Sequence, residues 1–197
     1  MKFVLASASP RRKELLEKIG LEFMIIPAEG EENMRFQDPA EAVKDLSRQK
    51  AEEVSGRLAD GTDAVIIGAD TAVSCGGQIL GKPKDEADAR RMLSMLQGQS
   101  HRVYTGVTLL IRQNGSVRVH SFFEETEVVM YPMEEEELDW YIKTREPFDK
   151  AGGYGIQGRC AVFIREIRGD YDNVVGLPVA RLYQELKKLG IAVYSGS

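Results

Sequence analysis

The stretch FVLASASPRRKELLEKIG, residues 3–20, decides the architecture. Phe3 to Ala6 is an apolar run of strand length. Ser9 and Pro10 follow as a helix cap and first helical residue, and Gly20 stands just past the end. A buried strand that feeds straight into a helix opens an α/β chain. Outward from it the alternation continues. Phe23 to Ile26 reads as a strand, Asp38-Pro39 as the start of a helix to about Leu58, and Ala64 to Gly68 as another buried strand. Val73 to Leu80 is expected to fold back at Gly76-Gly77. Asp85 to Leu96 reads as a helix closed by Gly98. Val103 to Ile111 and Val117 to Met130 flank Asn114-Gly115, a strong hairpin signal. Pro132 to Lys143 is an acidic helix, Ala161 to Ile167 a strand, and Pro178 to Leu189 a last helix closed by Gly190. Crossover helices together with hairpins predict an α/β fold with a mixed sheet. Residues 1–190 are expected to form one domain and 191–197 a frayed tail.

Composition narrows the classes of function. Hydrophobic residues at 43% can fill a core, and 29% charged residues are ordinary for a soluble globular chain. The net charge of −5 argues against a general nucleic-acid binder but permits a local basic pocket. No stretch approaches the ~18 apolar residues of a membrane span, and the N-terminal apolar run is too short for a secretory signal. Cys75 and Cys160 lie far apart without metal-ligand spacing, so they read as inert thiols in a reducing compartment. The expectation is a cytoplasmic protein with neither nucleic acid nor membrane as partner.

Two glycine motifs resemble nucleotide loops and fail on inspection. Gly76 to Pro83 nearly spells a P-loop, but Pro83 lacks the hydroxyl that binds magnesium there. The glycine pair also sits between two strand-like runs. Lys82 remains as a lone cation for phosphate. Gly153 to Gly158 has dinucleotide-fingerprint spacing, yet that motif needs a strand before it and a helix after it. Here it is a glycine-rich loop where backbone can approach a ligand closely.

Other residues carry chemistry. Ser7-Ala8-Ser9-Pro10-Arg11-Arg12 spans the first strand–helix junction. Arginines in the first turn oppose the helix dipole by about 0.3–1 kcal/mol each. An anion held by Ser7, Ser9, Arg11, Arg12 and the backbone amides would offset that. Asp70 is expected at the carboxyl end of the strand Ala64 to Gly68, where ligands gather in α/β sheets; it can bind a metal, polarise a water, or simply start a turn. Lys50 falls on the apolar stripe Val43, Leu46, Val54 and either snorkels outward or reaches into a cleft. Glu31-Glu32 reads as a solvated loop or a magnesium-holding pair, and Glu134 to Glu137 as an exposed helix start. Asp149-Lys150 precedes the glycine loop, and Gln157 within it can both donate and accept at a base edge. Arg11, Arg12, Lys50, Lys82 and Lys150, brought together, would suit a polyphosphate held without a P-loop.

Five motifs occur in order: Ser-Ala-Ser-Pro-Arg-Arg-x-Glu-Leu-Leu from Ser7, Gly-Ala-Asp-Thr-x-Val from Gly68, Leu-Gly-Lys-Pro from Leu80, Asp-Lys-Ala-Gly-x-Tyr-x-Ile-Gln-Gly from Asp149, and Asn-Val-Val-Gly-Leu-Pro ending at Pro178. Together they resemble the Maf family of septum-formation-inhibitor-like nucleotide pyrophosphatases over nearly the whole chain. The Ile156-Gln157-Gly158 form is similar to the subgroup that cleaves dTTP and UTP. The resemblance implies pyrophosphate release from these nucleotides, with CTP and modified pyrimidine nucleotides as further substrates. It implies dependence on Mg2+ or Mn2+ held by Glu32 and Asp70, with Asp70 as proton acceptor for water attack on the α-phosphorus. It also implies that Arg11, Thr71 and Gln157 set base choice, and that the fold is a curved mixed sheet with two lobes around a cleft, like inosine-triphosphate pyrophosphatases, often as a homodimer. Glu31-Glu32 departs from the common Asp-Glu. Rival readings are a broad house-cleaning pyrophosphatase for non-standard nucleotides and a nucleotide-sensing regulator of septum formation.

Overall fold

The computed structural model describes residues 1–193. Its strands are β1 (Lys2–Leu5), β2 (Phe23–Ile25), β3 (Ala64–Cys75), β4 (Gln78–Leu80), β5 (Ser100–Gln113), β6 (Ser116–Met130) and β7 (Ile164–Arg168). They form one open mixed sheet in the order β2-β1-β3-β5-β6-β7, with β4 beside β3. The helices are α1 (Pro10–Lys18), α2 (Pro39–Arg57), α3 (Glu86–Leu96), α4 (Glu135–Lys143), α5 (Tyr171–Val175) and α6 (Val179–Lys188). The chain divides into two compact units. The first comprises Met1–Asp70, Thr105–Glu124 and the described residues 176–193; the second comprises Thr71–Tyr104 and Glu125–Val175. No helix of the described residues is long and apolar enough to cross a membrane.

In the first unit, β1 pairs in parallel with β2 and β3, in the registers Phe3↔Phe23 and Phe3↔Val65. Parallel neighbours need crossovers, and α1 and α2 supply them. Pro10 opens α1 as expected, and the Asp38 side chain accepts the Glu41 amide at the start of α2. Val4, Ala6, Ala51, Val54, Ala64, Ile66 and Leu110 fill one core cluster. Helix α2 approaches β3 at backbone distance: a Cβ on Gly68 would run into the Ser47 carbonyl oxygen and Ala51. Lys50 lies on that same turn of α2, between Ser47 and Ala51, within reach of the next residues of β3. Strands β5 and β6 meet through Asn114 and Gly115, whose φ values of 51° and 76° make the tight turn the sequence predicts.

Helix α6 carries a buried carboxylate. Glu185 accepts from Arg181 Nε at 2.7 Å and Lys188 Nζ at 3.0 Å, and His120 Nε2 lies 3.0 Å away. Burial alone would raise its carboxyl pKa, but hydrogen bonds from Lys188, Arg181 and His120 overturn that and hold it at about 2. A depressed folded pKa contributes stability that is present above the ordinary value of 4.5 and is lost as pH falls through about 2. Glu185→Gln is therefore expected to lower the unfolding free energy at neutral pH by on the order of 1–3 kcal/mol and to flatten the acid dependence over that window. Denaturant titrations at neutral and acid pH read both effects. Parallel pH curves for variant and wild type would contradict the assignment.

In the second unit, the end of β3 pairs antiparallel with β4 from Val73↔Leu80 to Cys75↔Gln78. The end of β6 pairs antiparallel with β7, with an irregularity between Val129 and Met130. Two expectations are corrected here, and one helix is new. The strand expected from Ala161 starts only at Ile164, because Arg159–Phe163 wind into a 3-10 helix that buries Cys160 and Phe163. The helix expected from Pro132 starts at Glu135. Glu134 and Glu137 form its capping box, so that part of the acidic run is a structural device. Helix α5 had no sequence expectation; the Asn173 side chain donates to Thr126 Oγ1 at 2.9 Å and to the Val103 carbonyl at 3.2 Å.

Of the frayed tail expected at 191–197, the first residue is packed. Ile191 is buried, and its amide donates to the Leu186 carbonyl at 2.9 Å. Residues 194–197 lie outside the described residues.

Candidate active site

The site in the first unit starts where β1 ends. The Ala6 amide donates to the Ile67 carbonyl at 2.9 Å, which fixes the strand–helix junction against β3. Ser7 is buried, and its Oγ accepts from the Ser9 amide and from Arg12 Nη1, each at 3.2 Å. Arg12 Nε donates to the Gly176 carbonyl at 2.9 Å. The guanidinium is thus locked from two sides. The Ser9 side chain makes no cap, and the first turn of α1 holds no acidic residue. The junction has the features of an anion site: a helix N-terminus and a fixed guanidinium.

Lys50 settles the choice between snorkelling and reaching inward. Its Nζ lies 2.5 Å from Asp70 Oδ1 and 3.0 Å from Glu32 Oε1, with its side chain only 15% exposed. Asp70 is 13% exposed and Glu32 56%. Glu32, rather than Glu31, makes this contact. Burial lowers the Arg12 pKa; Asp70 opposes that, Arg11 adds to it, and Glu32 opposes it. The guanidinium remains protonated regardless. Arg11, Arg12 and Lys50 thus stand against Glu32 and Asp70, three cations to two carboxylates. The position of Asp70 is a correction: it lies inside β3, which runs on to Cys75, and not at a strand terminus. It follows the last pairing of β1 with β3 at Leu5↔Ile67, so it stands just past the end of the parallel neighbour.

The second unit holds the remaining expected residues. Thr71 follows Asp70 on β3 and is partly buried. Lys82 is exposed just after β4, with no P-loop helix behind it. The Gly152 amide donates to the Gly81 carbonyl at 2.9 Å, tying that turn to the glycine-rich segment. Lys150 Nζ donates to the Glu146 carbonyl at 2.8 Å and to Asp149 Oδ1 at 2.6 Å. Tyr154 and Ile156 anchor the loop inward while Gln157 is exposed. The Tyr154 hydroxyl meets His101 Nε2 at 2.6 Å in a buried pair, where burial lowers the His101 pKa to about 4. The segment has 3-10 turns on both sides, so it is not a dinucleotide loop.

Sequence reasoning missed two contributors. The Gly176 carbonyl, which holds Arg12, comes from the Asn-Val-Val-Gly-Leu-Pro motif, whose part in the family resemblance was the only signal. Glu146, described below, gave none. Among the described residues, no group of three or more His, Cys, Asp or Glu side chains comes together as a metal cage.

The chain matches the family described as Maf-like protein over residues 2–189. It is 58% identical to a dTTP/UTP pyrophosphatase of Agathobacter rectalis, over 96% of this chain and 98% of that protein. It is 54% identical to a dTTP/UTP pyrophosphatase of Carboxydothermus hydrogenoformans, over 96% of this chain and 100% of the relative. A dTTP/UTP pyrophosphatase of Bacillus cytotoxicus is 48% identical, over 95% of each chain.

Proposed function

The chain belongs to the Maf-like protein family, and from that premise we propose that it hydrolyses dTTP and UTP between the α- and β-phosphates. Water supplies the oxygen to the α-phosphorus, and the products are dTMP or UMP, pyrophosphate and a proton. The observation that carries this reading is the Lys50 ammonium held between Asp70 and Glu32, in the same unit as an Arg12 fork fixed by Ser7 and Gly176. Asp70 accepts the proton of the attacking water. Lys50 keeps that carboxylate in place and offsets charge that builds on phosphate oxygens. Arg12, Arg11, Ser7, Ser9 and the N-terminal amides of α1 bind phosphate. Lys82 and Lys150 add cations, and Gln157, with Thr71 and Arg11, selects the base.

Glu32 and Asp70 also fit a divalent cation. Their oxygens already share one cationic partner, and magnesium is commonly held by one or two carboxylates, with substrate phosphates completing its shell. Mg2+ or Mn2+ bound there would supply Lewis-acid neutralisation of the phosphates. We place the enzyme in the cytoplasm, acting on free nucleotides as a homodimer.

Product analysis tests the bond cleaved. UTP incubated with the purified enzyme and magnesium should give UMP and pyrophosphate as initial products, resolved by anion exchange. UDP with orthophosphate would overturn the proposal, and tight binding without turnover would favour a nucleotide sensor.

A further inference from the structure

Glu146 lies outside every motif singled out above, yet it is the hub of the glycine-rich loop. Its Oε2 accepts the Arg159 amide at 3.0 Å, and its Oε1 accepts the Tyr141 hydroxyl at 3.1 Å. Tyr141 in turn is hydrogen-bonded by the Gly155 backbone. The backbone carbonyl of Glu146 accepts Lys150 Nζ at 2.8 Å. One residue therefore holds both ends of the Lys150–Arg159 segment, and through Tyr141 its middle. The carboxylate also occupies the space beside Gly158: a Cβ at that position would collide with Glu146 Oε1. Gly158 is the neighbour of Gln157, so the carboxylate sets where Gln157 leaves the loop.

The backbone before it is bent to aim this carboxylate. Arg145 adopts φ 65°, a left-handed conformation that is uncommon for a residue with a side chain. Such conformations persist where surrounding contacts over-determine them, and they gather at functional sites. Here the Arg145 guanidinium lies 4.2 Å from the Phe148 ring centroid and bridges to Glu86 at 3.1 Å. The strained turn is thus fastened on both sides of Glu146.

We infer that Glu146 is a positioning residue for base selection: its carboxylate, clamped by Tyr141 and the Arg159 amide, fixes the glycine loop so that Gln157 meets the base edge in one place. The inference rests on Gln157 being the base reader, as proposed above. A carboxylate has two acceptor oxygens for two donors, and alanine has none. Glutamine keeps one acceptor oxygen and an amide that can donate to the tyrosine oxygen.

The test uses full-length enzyme with magnesium, and UTP and GTP as substrates, in the wild type and in Glu146→Ala, Glu146→Gln and Gln157→Ala. Glu146→Ala should lower the UTP-to-GTP ratio of kcat/KM by about tenfold, through KM for UTP, while kcat for GTP stays within about twofold. Amides of residues 155–159 should exchange with solvent faster in that variant without nucleotide. Glu146→Gln should restore both readouts most of the way. Gly158→Ala presses on the same contact from the other side and should shift the ratio in the same direction; it serves if Glu146→Ala fails to fold. An unchanged ratio in Glu146→Ala, with a lowered ratio in Gln157→Ala, overturns the inference and leaves the base reader standing. An unchanged ratio in Gln157→Ala removes the base reader, and the inference with it. Equal losses of kcat on both substrates in Glu146→Ala would make Glu146 merely structural.

Discussion

Asp70→Asn should give a folded enzyme whose kcat is lower by about 10²–10⁴, the usual range for loss of a general base. The substitution preserves shape. An asparagine oxygen can still accept from Lys50 Nζ, now 2.5 Å from Asp70 Oδ1, and Lys50 retains Glu32 at 3.0 Å. The Ser7–Arg12–Gly176 lock is untouched. Phosphate binding should therefore persist, and kcat and kcat/KM should fall together, as when an interaction made only in the transition state is removed. Asp70 is also proposed to hold the divalent ion, and the two roles separate by titration. If the deficit were one of metal affinity, raising Mn2+ would recover the rate. The expected result is a rate that stays low at saturating metal. Retention of more than about a tenth of wild-type kcat would remove Asp70 from the base role.

Legibility in the sequence follows the range of the interactions involved. Ser9-Pro10 and Asp38-Pro39 announce their helices because capping is settled within a few residues, and Asn114-Gly115 announces its turn because the backbone there demands positive φ. The hairpin from Val73 to Leu80 is legible, but the continuity of β3 from Ala64 to Cys75 is not. Ala69-Asp70-Thr71 breaks the apolar run, and only the folded sheet shows one strand passing through it. Lys50 was ambiguous for the same reason: helical periodicity gives its face, but a carboxylate twenty residues away gives its direction. The Arg12 bond to Gly176 spans 164 positions, and Glu146 is an ordinary acid until the loop folds around it. The motifs marked which residues carry the family resemblance. The distances show which of them touch.

Lys50→Met should lower kcat/KM by about 10²–10³, comparable to removing one preorganised donor from a charged transition state. It should also destabilise the protein, and the two effects have one cause. The ammonium separates Asp70 from Glu32, and a methionine of similar length leaves two carboxylates facing an apolar tip. Breaking a fully buried pair costs about 3–5 kcal/mol. Here Glu32 is 56% exposed and can turn to water. We therefore expect about 2–3 kcal/mol, since only Asp70 is left deeply placed without its cation. A second measurement separates this from a simple loss of packing. With the ammonium gone, the carboxylates are open to a divalent ion, and an ion that binds only the folded state raises stability by mass action. Magnesium should thus raise the melting temperature of nucleotide-free Lys50→Met more than that of the wild type. Lys50→Arg should recover stability better than rate, because a broad planar fork cannot replace a compact ammonium touching both acids. A Lys50→Met enzyme with wild-type melting and kinetics would mean that the lysine is a solvated surface group and that the Asp70–Lys50–Glu32 cluster does not organise the site.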